Sequence, residues 1–170
     1  MELSNLKAES IGSILIFPDH IENKSKAEIT EADGHVKLEI PHDYEVIIYD
    51  KNASASDCNM DLEINLSENS KLTYLEIQNT SDNNINKNKK IKCGKGSKFS
   101  RYFLCTGSKA TISNVNVYLE ENSEADDVEI FIGNKDENFE LNTKLVHSGI
   151  NSKGNVLIKG VLLDKSKCNS

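Results

Sequence analysis

The sequence predicts an all-β protein wound as a right-handed parallel β-helix, with little helix. Its apolar runs are short and rich in Val, Ile, Leu and Tyr, Gly, Ser, Asn or Asp separates each run from the next, and a Ser-containing corner recurs ahead of successive runs. Such a pattern describes strands joined by turns. β-Branched and aromatic side chains suit a pleated surface, while Gly and Asn accept the sharp bends between strands.

In chain order the runs are Ile14 to Phe17, Val36 to Ile40, Val46 to Tyr49, Met60 to Leu66, Leu72 to Ile77, Val115 to Leu119, Val128 to Ile132 and Val156 to Leu163. In the fourth, Met60, Leu62, Ile64 and Leu66 alternate with Asp61, Glu63 and Asn65, so one face is buried and the other wet. A short helix is expected only near Leu3 to Ile11. The corner appears in SENSKLTYLEI, GKGSKFSRYFL, TGSKATISNV, ENSEADDVEIFI and SGINSKGNVLI, with serines at 70, 97, 108, 123 and 152. This uneven spacing predicts an irregular solenoid. A short strand cannot bury its face alone, whereas stacked coils share a continuous interior. A jelly roll would also give many short strands, but only Asp33-Gly34 fits a tight hairpin between neighbouring runs. Asn79 to Lys89, NTSDNNINKNK, has the composition of a mobile surface loop between coils. Residues 1–170 read as a single domain.

The formal charge of -7 and an aromatic content of 6% argue against a nucleic-acid partner, since phosphate binding draws on clustered Lys and Arg. No run approaches the roughly 18 apolar residues of a membrane span, and MELSNLKAES lacks the pattern of a secretory signal. A cytoplasmic protein is expected, without a membrane partner, its cysteines reduced.

From residue 64 onward the order of landmarks resembles the core domain of the SufB/SufD family of iron–sulfur cluster assembly proteins. INLSENSKLTYLEIQN leads to Gln78, KKIKCGKGSKFSRYFLCTGSKATISNVNVYL contains Ser100, Arg101, Gly107 and Ser108, and NFELNTKLVHSGINSKGNVLIKGVLLDKSK contains Thr143, His147, Ser152 and Gly160. The resemblance implies a right-handed parallel β-helix in a non-catalytic scaffold. It further implies pairing with a SufB/SufD-like copy, a SufC-like ATPase as partner and a nascent, transient iron–sulfur cluster as cargo. The chain reads as lacking the family's C-terminal part, where most cluster-building residues lie. Where SufB carries a sulfur-accepting cysteine, this sequence has Asn116, Val117 and Tyr118.

Thiolates are the soft ligands of iron–sulfur clusters and zinc, yet Cys58, Cys93, Cys105 and Cys168 include no Cys-x-x-Cys pair. Cys93 and Cys105 read as buried hydrophobes. Cys168 follows Lys165, Ser166 and Lys167, whose cations would favour thiolate, and His147 offers an imidazole. These two are the metal candidates; no catalytic residue is identified and no cofactor is assigned. His35 and His42 lie seven positions apart, which does not make a cupin metal box, and Gly94 to Lys98 lacks the first glycine of a phosphate loop. The basic run Lys87, Lys89, Lys90, Lys92, Lys95, Lys98 and Arg101 reads as the wet face of an edge strand or, alternatively, as a dock for an acidic partner. Glu120, Glu121, Glu124, Asp126, Asp127 and Glu129 read as a solvated turn. Two other functions compete with the scaffold: a structural module forming homo-oligomers through an open solenoid end, and a carbohydrate-active enzyme using Asp126, Asp127 and Glu129.

Overall fold

A computed structural model describes residues 11–16, 21–32, 35–52, 56–80 and 82–170. These form strands β1 (Ile11–Ile16), β2 (Ile21–Lys24), β3 (Glu28–Ala32), β4 (His35–Ile40), β5 (Glu45–Asn52), β6 (Cys58–Leu66) and β7 (Lys71–Asn79). They continue with β8 (Asn84–Cys93), β9 (Lys98–Thr106), β10 (Ala110–Leu119), β11 (Glu124–Gly133), β12 (Asn138–His147), β13 (Lys153–Leu162) and β14 (Lys167–Asn169). No helix occurs among the described residues. The short helix expected near Leu3 to Ile11 falls almost wholly outside them, and Ile11 itself opens β1.

From β4 onward the chain alternates between two facing sheets and pairs in parallel with the coil before it, giving a flattened β-solenoid. One sheet has the order β13-β11-β9-β7-β5-β1-β2 and the other β14-β12-β10-β8-β6-β4-β3. Glu45 lies beside Lys71 and Glu124 beside Lys153, so a coil takes 26 to 29 residues. β2 and β3 pair antiparallel with β1 and β4, and they end the two sheets on the N-terminal side. β3 and β4 pair antiparallel, Ala32 with His35; the hairpin signal Asp33-Gly34 lies outside the described residues.

The serines fall into order once two corners are separated. Ser70, Ser97, Ser123 and Ser152 stack on one edge, each after a residue of positive φ: Asn69 at 57°, Gly96 at 67°, Asn122 at 56° and Asn151 at 56°. Only short polar residues and Gly visit that region cheaply. Ser70 Oγ donates to the Ser67 carbonyl at 2.8 Å, Ser123 Oγ to Glu120 at 2.8 Å and Ser152 Oγ to Gly149 at 3.0 Å, closing each bend. The residue of positive φ then bonds to the coil above, with Asn69 N donating to Lys95 O and Gly96 N to Glu121 O, both at 2.9 Å. Ser108 belongs to the opposite edge, where Thr80 Oγ1 donates to Gly107 O at 3.2 Å. Mixing the two edges is what made the repeat look irregular.

Within the segment Asn79 to Lys89, Asn79 ends β7 and Asn84 to Lys89 belong to β8, which is paired on both sides with β6 and β10, so these residues are strand and not mobile loop. The segment's polarity misleads because two of its lysines point inward. Beside the serine edge the interior is apolar, with Leu66, Leu72, Cys93, Phe99 and Leu119 packed together.

A Cβ at Gly96 would stand 2.5 Å from Asn69 Oδ1 and would also meet the positive φ. Gly96→Ala is therefore expected to lower stability by about 1–2 kcal/mol, read from the urea midpoint. Asn122→Gly, at the equivalent place one coil on, should leave the midpoint nearly unchanged.

Candidate functional site

Strand alternation places an unusual set of side chains between the sheets. In β5, β7, β9 and β11 the register aligns Ile48, Tyr74, Arg101 and Asp127 in one inward row, and Asp50, Glu76, Phe103 and Glu129 in the next. The facing sheet contributes Lys87 and Lys89 from β8, Ser113 from β10 and Thr143 from β12. Four carboxylates, two lysines and one arginine thus share the interior of four successive coils.

Arg101, fully buried, is the hub. Its Nε and Nη2 donate to Glu76 Oε2 at 3.2 and 3.0 Å. Nη1 turns to the next coil and donates to Asp127 Oδ1 at 3.0 Å and Glu129 Oε1 at 3.0 Å. Lys87 Nζ donates to Asp50 Oδ2 at 2.9 Å and Glu76 Oε1 at 3.1 Å, and Lys89 Nζ to Glu76 Oε1 at 2.9 Å. Neutral groups complete the set: Tyr74 Oη donates to Asp50 Oδ2 at 2.7 Å and Thr143 Oγ1 to Glu129 Oε1 at 2.6 Å. Further along, Gln78 Nε2 donates to Thr111 Oγ1 at 2.6 Å, and Thr111 meets Ser108 Oγ at 2.5 Å.

Charges taken out of water persist only when opposite charges and donors replace the lost hydration. Burial alone would raise the Glu76 carboxyl, but Lys89, Lys87 and Arg101 outweigh it and hold the group well below the usual carboxylate range. Burial works to neutralise Lys87, yet Asp50 and Glu76 keep it more basic than an exposed lysine. Lys89 has fewer acidic neighbours; burial dominates and brings it down to about 8. Burial also raises Asp127, against the pull of Arg101. The network is therefore a fixed array of charges in which Lys89 holds its proton least firmly of the three cations.

The metal candidates stand far apart. Phe139 on β12 pairs with Cys168 on β14, and His147 lies eight residues further along β12, about 26 Å at the rise of a strand. His147 is exposed, its Nδ1 2.8 Å from Ser152 Oγ, which suits a histidine holding the corner. Cys168 is half-buried against Phe103, Phe131 and Phe139; burial, aided by Glu129, raises its thiol rather than favouring the thiolate expected from its lysine neighbours. Among the described residues no three His, Cys, Asp or Glu side chains are placed to hold a metal ion. Cys93 and Cys105 are buried thiols pushed up to about 12 by burial.

Two surface readings are corrected. Lys87, Lys89 and Arg101 of the basic run are interior groups on paired, central strands, not the face of an edge strand. The outward members already have carboxylate partners: Lys92 with Glu63 at 2.8 Å, Lys95 with Glu121 at 3.3 Å and Lys98 with Glu124 at 2.8 Å. The acidic cluster is a solvated turn only at Glu120 and Glu121; Glu124 to Glu129 lie in β11, where Asp127 and Glu129 face Arg101. Asp126 points outward, so the three carboxylates proposed for sugar chemistry do not converge.

The alternation that hides these charges was present in the sequence. Ile85, Lys87, Lys89, Ile91 and Cys93 share one face of β8, and Phe99, Arg101, Phe103 and Cys105 one face of β9. A cation flanked at i±2 by apolar residues, between strands offering carboxylates in the same phase, is the sign that a charge count alone overlooks.

A family model for the SUF system FeS cluster assembly SufBD core domain matches residues 21–169, nearly the whole solenoid. The chain belongs to this family. Comparison with curated proteins and with solved structures finds no match. Membership gives the SufBD-type chain a role in SUF iron–sulfur cluster assembly. The hydrogen bonds give the landmark residues physical roles: Gln78, Arg101, Ser108 and Thr143 belong to the interior polar array, and His147 and Ser152 bond to each other at a corner. At Gly160 the ring of Phe131 occupies the space a side chain would need.

Replacing Arg101 with Met leaves Asp127 and Glu129 buried without a cation, while Glu76 keeps Lys87 and Lys89. The loss should be about 3–5 kcal/mol, and Arg101→Lys should recover only part of it, since a single ammonium lacks the forked donors that serve Glu76 on one side and Asp127 and Glu129 on the other. Urea unfolding of both variants measures this. Because the folded-state value of Glu76 lies below its unfolded value near 4.5, its contribution is complete above that pH and is lost as pH falls through and below it. Wild type should weaken over that interval more steeply than Glu76→Gln, whose lower stability should vary less with pH.

Proposed function

We propose that this SufBD-type chain is a non-catalytic scaffold component of iron–sulfur cluster assembly in the cytoplasm, working with a SufC-like ATPase and a SufB/SufD-like copy. The family match across residues 21–169 carries the reading. The interior supports it: the buried charges are directed at one another, as suits a stiff body on which other subunits act. No helix among the described residues is long and apolar enough to cross a membrane. The nascent cluster is cargo in this scheme, with ATP hydrolysis performed by the partner.

Affinity purification of the tagged chain from its own cells tests the reading. A SufC-like ATPase should be retained in fixed ratio, and its consistent absence under gentle, low-salt conditions would sink the proposal. Anaerobic reconstitution with ferric iron, a thiol reductant and sulfide probes the cargo. If Cys168 touches it, Cys168→Ser should reduce the visible charge-transfer absorbance that the purified complex acquires, while Cys93→Ser should leave it unchanged.

A further inference from the structure

The interior charges balance at one end of the array and not at the other. Among the described residues the buried carboxylates are Asp50, Glu76, Asp127 and Glu129 and the buried cations Lys87, Lys89 and Arg101, an excess of one carboxylate. Toward the N-terminal coils every carboxylate oxygen has a donor. Both Asp50 oxygens accept from Lys87, Glu76 Oε1 accepts from Lys87 and Lys89, and Glu76 Oε2 accepts from Nε and Nη2 of Arg101. The Asp127–Glu129 pair is short of them. Nη1 of Arg101 lies 3.0 and 3.1 Å from the two Asp127 oxygens and 3.0 Å from Glu129 Oε1, three acceptors for a nitrogen that carries only two hydrogens. The Thr143 hydroxyl has one hydrogen and lies 2.6 Å from Glu129 Oε1 and 3.3 Å from Asp127 Oδ2. Glu129 Oε2 receives nothing, although Glu129 is 1% exposed.

We propose that Asp127 and Glu129 share one proton at neutral pH, which balances the interior charge and makes the coil of β11 and β12 a pH-sensitive latch. The surroundings favour a proton over a metal cation. β13 sets Val156 and Ile158 beside the pair, β9 sets Arg101 and Phe103, and β12 brings Thr143. β14 brings Cys168, whose thiol burial raises with help from Glu129, and Ser113 of β10 accepts from Arg101 Nη2 at 3.4 Å. Lys87 and Lys89 of β8 direct their bonds to Asp50 and Glu76, and Glu76 of β7 lies on the other side of Arg101. These elements offer too few oxygens for the roughly six ligands a hard cation demands. A proton needs only one. Burial raises the Asp127 carboxyl against the pull of Arg101, and Glu129 adds to the rise. An ionised pair beside one guanidinium would leave a net charge out of water, whereas a neutral carboxyl costs far less there. The proton belongs to the pair and not to either residue. The unfolded chain releases it in the ordinary carboxylate range, so above that range the folded state binds one proton more, and stability falls as pH rises until the pair itself ionises. That sign is opposite to the one for Glu76, whose folded value is lowered. The proposal does not rest on the assembly reading.

Infrared spectra of the full chain test it. At neutral pH wild type should show the carbonyl stretch of one neutral carboxyl, and both Glu129→Gln and Asp127→Asn should lose it, because either change leaves one acid for one guanidinium. Thr143→Val, which keeps both acids, should shift the band by removing a donor from Glu129. Relative to Glu129→Gln, the folding equilibrium constant of wild type should fall ~tenfold per pH unit between about pH 5 and 7, below the range in which Lys89 titrates. As pH rises further and the band disappears, amide protection should fall in β11 and β12 before it falls in β5 and β7. Absence of the band from wild type, its survival in Glu129→Gln or Asp127→Asn, or a pH dependence no different from that of Glu129→Gln would overturn the proposal. None of these outcomes bears on retention of an ATPase, so the two readings fail separately.

Discussion

The architecture depends on one buried guanidinium. Arg101 sits on the middle strand of the β5–β13 sheet and bonds backward to Glu76 and forward to Asp127 and Glu129, tying three consecutive coils together through a single side chain. Lys87 and Lys89 then become necessary rather than tolerated, because Glu76 and Asp50 need cations on their other side. Lys87 joins Asp50 and Glu76 through one nitrogen, whereas the planar fork of Arg101 offers separate donors to Glu76 on one side and to Asp127 and Glu129 on the other. Its ring contact with Phe103, 4.8 Å from the guanidinium carbon, holds the fork in plane.

Corners and interior solve different halves of the same problem. The residues of positive φ at Asn69, Gly96, Asn122 and Asn151 bond from coil to coil and set how the turns stack. They act on backbone alone, so a strand could still slip by two residues without disturbing its inward and outward faces. The charges remove that freedom: slipping β9 by two residues so that Cys105 stands beside Glu76 would carry Arg101 back beside Leu72 and Ala125, away from the carboxylates it serves in the dry interior. Stacking geometry and strand register therefore come from separate sets of residues.

The strand content, the solenoid and the family landmarks were legible because they rest on local signals: short β-rich runs, small corner residues and their order. The period was harder to see, since Ser108 sits on the opposite edge from Ser70, Ser97, Ser123 and Ser152, and a list of serines mixes the two. The interior was misread for a different reason. Lys87, Lys89, Asp127 and Glu129 read as solvated because an isolated charge belongs in water, yet each is stable inside through partners from 11 to 37 residues away in sequence. Pairing of that kind is a property of the register, which composition does not contain. His147 and Cys168 show the converse: both are chemically plausible ligands, and the fold places them at opposite ends of a strand pair.

A wholly apolar interior would be at least as stable as this one, since well-packed hydrophobic side chains often equal or exceed a buried ion network. Stability alone therefore does not account for Arg101 and its partners. What an apolar interior lacks is discrimination, because Ile, Val and Leu accept one another in any register, whereas a buried carboxylate accepts only a cation or donor at hydrogen-bond distance. In a solenoid this matters more than in a globular fold, since every coil presents nearly the same edge to the next and the wrong neighbour is always available. The interior charges give β7, β9 and β11 different requirements although their backbones are alike. They make the order of coils a matter of chemistry, and so fix which side chains the outer face displays and in what sequence.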